Sequence, residues 1–365
     1  MRLPAVDVRN KLLAWYRAHR RDLPWRRTRD PYAIWVSEIM LQQTRVDTVI
    51  PYYNTFLQRW PNVRALAQAD PDDVRAAWSG LGYYRRARLM LEAAQTVSEQ
   101  YDGQFPADLD ALRALPGFGR YTAGAVASIA FDLPAPAVDG NVARVLARLG
   151  AISGDVTRGA PQKEVWSLAT SLAPGESPGE HTQAMIELGA LVCATKQPKC
   201  LLCPVTDACA ARADGKIHEI PPPRRKAARK SVWMTALICH SRRRVLMMQQ
   251  PDDGLFAGLW TPPMLQGDFE ANEATDQAQT LQIQCTGAEM VGEFKHVLTH
   301  RDLHVRVVRL NKPRCSAAPP FRWFALSDLE TLGLPSLTIK TLRMGLSSDE
   351  LAAVTLPGRR TSRRP

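Results

Sequence analysis

Through about residue 213, apolar residues recur at the spacing of one helix face, as at Val142, Val145, Leu146 and Leu149. Pro and Gly interrupt the pattern at short intervals, at Pro71, Gly80-Leu81-Gly82 and Pro116-Gly117. The expectation is a domain of many short helices over residues 1–213. The stretch 214–230 then reads as a stiff basic linker. Pro221-Pro222-Pro223 cannot continue a helix, and Arg224 to Lys230 holds five cations in seven residues. Beyond it the period becomes that of strands, at Val232–Cys239, Arg244–Met248, the alternating Leu303–Val307 and Phe321–Leu326. A short helix is expected from Ser336 to Leu346. Residues 231–350 are therefore predicted to form an α+β domain, with a basic tail over 351–365.

Composition narrows the chemistry. The chain has 365 residues, 45% of them hydrophobic, which suits two or three packed domains and excludes wholesale disorder. Its formal charge of +11 favours a polyanionic partner without choosing among DNA, RNA and anionic lipid. No run of 18 apolar residues is present, so no membrane partner is expected, and no secretory h-region follows the first residues. A cytosolic setting keeps thiols reduced, which makes the seven cysteines better metal ligands than disulfides.

Four of those cysteines, Cys193, Cys200, Cys203 and Cys209, lie within 17 residues in the spacing C-x6-C-x2-C-x5-C. Four thiolates so close need a centre that shares their charge, and zinc and an iron–sulfur cluster are the candidates. Structural zinc usually takes two close pairs, so one pair and two singles suit a cubane cluster better. Cys239, Cys285 and Cys315 are expected to be small hydrophobes.

Leu115-Pro116-Gly117-Phe118-Gly119-Arg120 separates two helical patterns. Gly117 and Gly119 allow a tight turn, and the free N–H groups opening the next helix make an anion site. Residues 32–46 are apolar all round a helical wheel, so that helix should be buried with Glu38 on it. Burial disfavours the charged carboxylate and raises its pKa, as a general acid near neutral pH requires. Asp139 precedes a helix start at Gly140-Asn141-Val142 and is predicted to cap it, which favours the ionised form and lowers its pKa. A protonated acid and an ionised partner make up the pair that glycosidic cleavage uses. Gly80-Leu81-Gly82-Tyr83-Tyr84 is a glycine loop with apolar and aromatic tips ahead of three arginines. Enzymes that act on stacked bases use such loops to fill the gap.

The cysteine spacing, the Gly-x-Gly hairpin, the run from Leu23-Pro24-Trp25 to Val46 and the segment Val138-Asp139-Gly140-Asn141-Val142 together resemble the MutY adenine glycosylases. Those belong to the endonuclease III helix-hairpin-helix superfamily of DNA glycosylases. The resemblance covers residues 7–345. It implies a mostly α helix-hairpin-helix catalytic domain with a [4Fe–4S] loop, plus a C-terminal α+β Nudix-like domain that recognises 8-oxoguanine. It implies that Glu38 protonates adenine N7 and activates water, and that Asp139 stabilises the sugar cation. Lyase-type relatives place a lysine where this chain has Tyr121, and a phenol cannot form their imine. The expected reaction is therefore monofunctional hydrolysis, with a bifunctional endonuclease III-like glycosylase/lyase as the alternative. Arg26 and Gln183 match adenine-pocket positions, Gln43 and Thr44 lie beside the opposing base, and Leu81 and Tyr83 insert into DNA. Gly117 and Gly119 hold backbone phosphate. Leu298-Thr299-His300 stands where the family has Phe-Ser-His, keeping a hydroxyl and an imidazole but losing the aromatic. Gly258-Leu259-Trp260 resembles the Nudix fold, but the stretch after it lacks the Glu-rich array that holds magnesium in Nudix hydrolases. The implied partner is double-stranded DNA bearing A:8-oxoguanine or A:G mispairs, bound by a monomer. The competing classes are a noncatalytic iron–sulfur DNA-binding protein and a phosphohydrolase of oxidised nucleotides.

Overall fold

The computed structural model describes residues 4–223, 228–316 and 318–352. Residues 224–227 of the expected linker and 353–365 of the expected tail lie outside the described residues. The chain folds as two compact units, one from Met1–Gln68 and Leu89–Arg225, the other from Ala69–Arg88 and Lys226–Pro365. Residues 69–88, read from sequence as part of the helical domain, thus group with the C-terminal strands.

The helices of the first unit are short, as the Pro and Gly punctuation predicts. They are α1 (Ala5–His19), α2 (Pro31–Leu41), α3 (Val46–Arg59) and α4 (Val63–Ala67) before residue 68. Helix α5 (Pro71–Ala77) belongs to the second unit, and α6 (Arg85–Gln100) begins there and continues into the first. The first unit then holds α7 (Leu109–Ala114), α8 (Arg120–Phe131), α9 (Gly140–Gly150), α10 (Gly159–Leu172), α11 (Pro178–Leu191) and α12 (Ala210–Ala213). Pro31 and Pro71 start their helices at positions where a missing N–H costs nothing, and Asp30 and Asp70 cap them.

Helix α2 is buried along nearly its whole length, as its apolar wheel requires. Trp35 on it stacks on Phe118 of the α7–α8 hairpin with ring centroids 5.5 Å apart, and Phe105 closes against both rings. A second part of the core joins α1, α9, α10 and α11 around Leu12, Tyr16, Leu146 and Leu172, and reaches the cysteine loop at Val205 and Cys209. In the hairpin Gly117 has φ +73°, and a Cβ there would lie 2.9 Å from that of Leu89. Gly119 has ordinary φ and open space where a Cβ would stand, so it leaves room for an incoming ligand.

The second unit is built on β1 (Lys230–Ser241), β2 (Arg244–Gln249), β3 (Trp260–Thr261) and β4 (Met264–Gln266). After α13 (Ala271–Thr280) come β5 (Gly287–Val297), β6 (Arg301–Asn311) and β7 (Phe321–Ala325), then α14 (Ser336–Gly345) and α15 (Ser348–Ala352). The order is β3-β2-β1-β6-β5, with β4 also on β1 and β7 on β2. β1 and β6 run parallel, while β5 and β6 form an antiparallel hairpin. Three of the four predicted strands fall within these elements, while the fourth runs one residue past β7 at Leu326 and the predicted helix one residue past α14 at Leu346. Alternation along β1 and β6 sends Ile238, Leu303 and Val305 toward α14, and Leu237, Cys239 and Val308 toward α13. Cys239 is buried there among hydrophobes. Glu270 and Glu273 form the capping box of α13, and Glu270 also accepts from Arg306. Among the described residues no helix is long and apolar enough to cross a membrane.

Residues 134–137 pack directly on α8, and a Cβ on Gly124 would meet the Pro136 carbonyl oxygen at 2.1 Å. That strand of chain leads into Asp139. Gly124→Ala is expected to lower stability by about 1–3 kcal/mol in urea unfolding, because a backbone atom cannot swing aside as a side chain can. Unchanged stability would contradict this packing.

Candidate active site

Three of the residues singled out from sequence converge on one cavity of about 710 Å³ in the first unit, a size that suits a nucleoside. Glu38 enters it from α2, Tyr121 from the first turn of α8 and Asp139 from the start of α9. Glu38 is only 6% exposed. Its Oε2 accepts a hydrogen bond of 2.6 Å from the Tyr121 hydroxyl. Burial lifts the Glu38 pKa to about 7; the Tyr121 hydrogen bond opposes the rise, Asp139 adds to it and Arg26 opposes it. Burial, with the neighbouring Glu38, drives the Tyr121 hydroxyl well above the usual phenol range, so it stays a neutral donor. A donor on Oε2 leaves Oε1 to carry the proton.

Asp139 caps α9 as predicted: its Oδ1 accepts from the Val142 N–H at 2.7 Å, and its Oδ2 from the Asn141 amide at 3.2 Å. The predicted direction of its titration is corrected. Burial raises the Asp139 pKa, and the hydrogen bonds from Val142 and Asn141 restrain that rise without reversing it. Sequence shows a cap but not the depth at which it sits.

The base-pocket candidates also line the cavity, in an arrangement that sequence did not disclose. Both terminal nitrogens of Arg26 donate to Glu187, at 2.9 and 2.8 Å. Gln183 Oε1 accepts from Tyr16 at 3.0 Å. Gln43 and Thr44 lie at the rim, and Gln43 takes φ +58°. Asn141, Arg21, Tyr16 and Glu187 were not singled out. The i, i+4 spacing of Gln183 and Glu187 was the available signal for the last.

The cysteine loop is tied to this cavity by hydrogen bonds. Arg144 donates to Asn141 Oδ1 at 2.9 Å and to the Cys193 carbonyl at 2.8 Å. Buried Arg148 reaches the carbonyls of Ala194, Thr195 and Ile220 and lies 3.3 Å from Cys193 Sγ. The four thiols are electrostatic neighbours of one another. Among the described residues no three His, Cys, Asp or Glu side chains are set to grip a single ion. Neighbouring cysteines with a guanidinium donating to one sulfur fit an anionic, thiolate-bound iron–sulfur centre.

A sequence profile of HhH-GPD superfamily base excision DNA repair proteins matches residues 36–170, and a NUDIX domain profile matches 234–344. An adenine DNA glycosylase of Homo sapiens is 35% identical over 92% of this chain and 73% of its own length. The chain belongs to the adenine DNA glycosylase family. Another member, from Buchnera aphidicola subsp. Acyrthosiphon pisum, is 32% identical over 91% of this chain and 95% of its own. A solved thermostable thymine-DNA glycosylase aligns at a TM-score of 0.53 and 30% identity over 57% of this chain and 97% of that one. In this adenine DNA glycosylase family member, the helix-hairpin-helix unit and the Nudix-like unit are the two folds described above.

The remaining candidates lie in the Nudix-like unit. Leu298, Thr299 and His300 form the tip of the β5–β6 hairpin, closed by the Leu298 N–H to the Arg301 carbonyl at 2.8 Å. Thr299 and His300 are exposed, whereas Leu298 packs on the core beneath. Tyr83 is 43% exposed, and its hydroxyl meets Thr299 Oγ1 at 2.8 Å. Leu81, expected at the tip of the loop, is only 6% exposed. The loop is braced by Trp78 and Arg86, both donating to the Gly82 carbonyl.

Because burial raises Glu38 from 4.5 to about 7, the folded chain binds more protons than the unfolded one between those values. The favourable contribution of the protonated group is present at low pH and is lost as pH rises through about 7. Above that the deficit is on the order of 3 kcal/mol. Glu38→Gln is therefore expected to be more stable than the parent in urea at about pH 8, with the advantage vanishing near pH 4.5. An advantage independent of pH would show that Glu38 does not carry the buried proton.

Proposed function

We propose that this protein hydrolyses the N-glycosidic bond of adenine paired with 8-oxoguanine or guanine in double-stranded DNA. The observation that carries the reading is a buried, proton-bearing Glu38 sharing one nucleoside-sized cavity with Asp139 and a phenol donor. Enzymes reach a base inside a duplex by extruding it, and the chain's charge of +11 suits the phosphate backbone. Family membership supports adenine as the base removed.

Glu38 gives its proton to adenine N7, and the C1′–N9 electron pair leaves with the base. Asp139 in its ionised form faces the resulting sugar cation. The carboxylate now left at Glu38 takes a proton from the attacking water, which bonds to C1′ and restores the acid. Tyr121 holds Glu38 Oε2 throughout. No lysine lines the cavity among the described residues, and a phenol forms no imine, so the hydrolytic reading is favoured over the lyase one. Gly117 and Gly119 would receive backbone phosphate, with Gln43 and Thr44 beside the opposing base and Arg26 and Gln183 beside the adenine.

Cys193, Cys200, Cys203 and Cys209 would hold a [4Fe–4S] cluster. Bound by these residues, it would cross-link the loop and spread thiolate charge. The exposed Thr299 and His300 are the hydrogen-bonding groups offered to 8-oxoguanine, with Tyr83 as the inserting ring. Leu298 supports the hairpin from below instead of inserting.

Asp139→Asn is expected to cut single-turnover adenine release from an A:8-oxoguanine duplex by about a hundredfold or more. Borohydride should trap little covalent adduct with the parent chain. Unchanged release would remove Asp139 from the chemistry, and efficient trapping would favour the lyase. Thr299→Val keeps shape but loses the hydroxyl, so the preference for 8-oxoguanine over guanine should fall about fivefold in release assays. An undiminished preference would assign recognition elsewhere.

A further inference from the structure

Glu187 is a carboxylate with no accessible surface, on the face of α11 that also bears Gln183. It accepts five hydrogen bonds. Three come from Arg21, from its backbone N–H at 3.0 Å, Nε at 2.9 Å and a terminal nitrogen at 2.6 Å. Two come from Arg26. Arg26 also donates to the Arg21 carbonyl at 3.0 Å, so both arginines are locked to one anion. Arg26 is nearly buried with Glu187, while Arg21 reaches in from a partly exposed position, and a carboxylate this deep requires such full pairing because a lone charge there would be strongly destabilising.

We propose that Glu187 is a positioning residue for base excision, the buried anion that seats Arg26 in the cavity wall and neutralises it beside Glu38. The inference rests on the excision reading above. The charged or titratable groups that act on Glu38 are Tyr121 from α8, Asp139 before α9 and Arg26 from the turn Pro24–Arg26. Of these, Arg26 is the cation, and it favours loss of the Glu38 proton. Glu187 stands against that pull. Burial alone would raise its pKa, but the hydrogen bonds from Arg26 and Arg21 bring it down to about 2, so it is an anion at every pH at which the protein works. An acid that must stay protonated near pH 7 has a guanidinium next to it, and the compensating charge is supplied one layer behind.

The test uses the full chain in two readouts. One is single-turnover adenine release from an A:8-oxoguanine duplex across pH. The other is infrared titration of the protonated Glu38 carboxyl, assigned as the band that Glu38→Gln removes. With Glu187→Gln the alkaline limb and the infrared midpoint should both move down by about one pH unit, and release above neutrality should fall about tenfold. Glu187→Asp should restore most of the limb. A folded Glu187→Gln chain with an unmoved limb and midpoint overturns the proposal. If that variant does not fold, Arg26→Gln tests the same field from the other side. Removing the cation should raise the midpoint, and no rise overturns the proposal. A parent chain that releases no adenine while the infrared midpoint still shifts would defeat the excision reading and leave the electrostatic role of Glu187 standing.

Discussion

The site depends on keeping a proton on Glu38 near neutral pH. A carboxylic acid in water has lost it there, and the chain holds it by placing the group on a helix that is apolar all round. That placement forces the surroundings. A buried carboxyl needs a partner, and Tyr121 supplies a donor that does not itself ionise. A phenol fills this place without adding a nucleophilic amine, so the group that satisfies Glu38 also bears on which reaction the cavity can run.

The rest of the helical unit holds three chain segments against one another around that group. Gly124 lets residues 134–137 lie on α8, which fixes where Asp139 emerges. Gly189 lets α11 approach Asn141, where a Cβ would come within 2.7 Å. Arg144 then joins Asn141 to the Cys193 carbonyl. The cysteine loop is thereby part of the same rigid framework as the capping carboxylate. Hydrogen bonds thus run from the Cys193 carbonyl through Arg144 and Asn141 to the Asp139 carboxylate.

The Nudix-like unit keeps the sheet but uses its acidic residues differently. Glu270 and Glu273 cap a helix, and Glu270 also pairs with Arg306. Its exposed features gather at the β5–β6 tip, where Thr299 meets Tyr83 from a loop more than two hundred residues earlier in the chain. Segment 69–88 is anchored to the same unit by Ser79, which donates to the Leu334 carbonyl, just before α14, at 2.7 Å. The ring and the hydroxyl are therefore presented by one unit.

Local pattern carried much of this protein. The alternation at Leu303–Val307, the wheel of α2, the cap at Asp139 and the spacing of four cysteines are all short-range, and each is set by backbone period or by reach along the chain. Glu38 was legible because a carboxylate inside an apolar helix has few places to go. The depth of Asp139 was not legible, and with it the direction of its pKa was misread, since capping is local whereas desolvation sums over every neighbouring segment. Glu187 was equally hidden. Its partners Arg21 and Arg26 lie more than 160 residues away, and along the sequence only its i, i+4 spacing from Gln183 hints at its place. Short-range pattern sets which elements form and which groups are able to do chemistry. Packing sets which charges are dry and which cancel, because desolvation and Coulomb energy depend on distances through space.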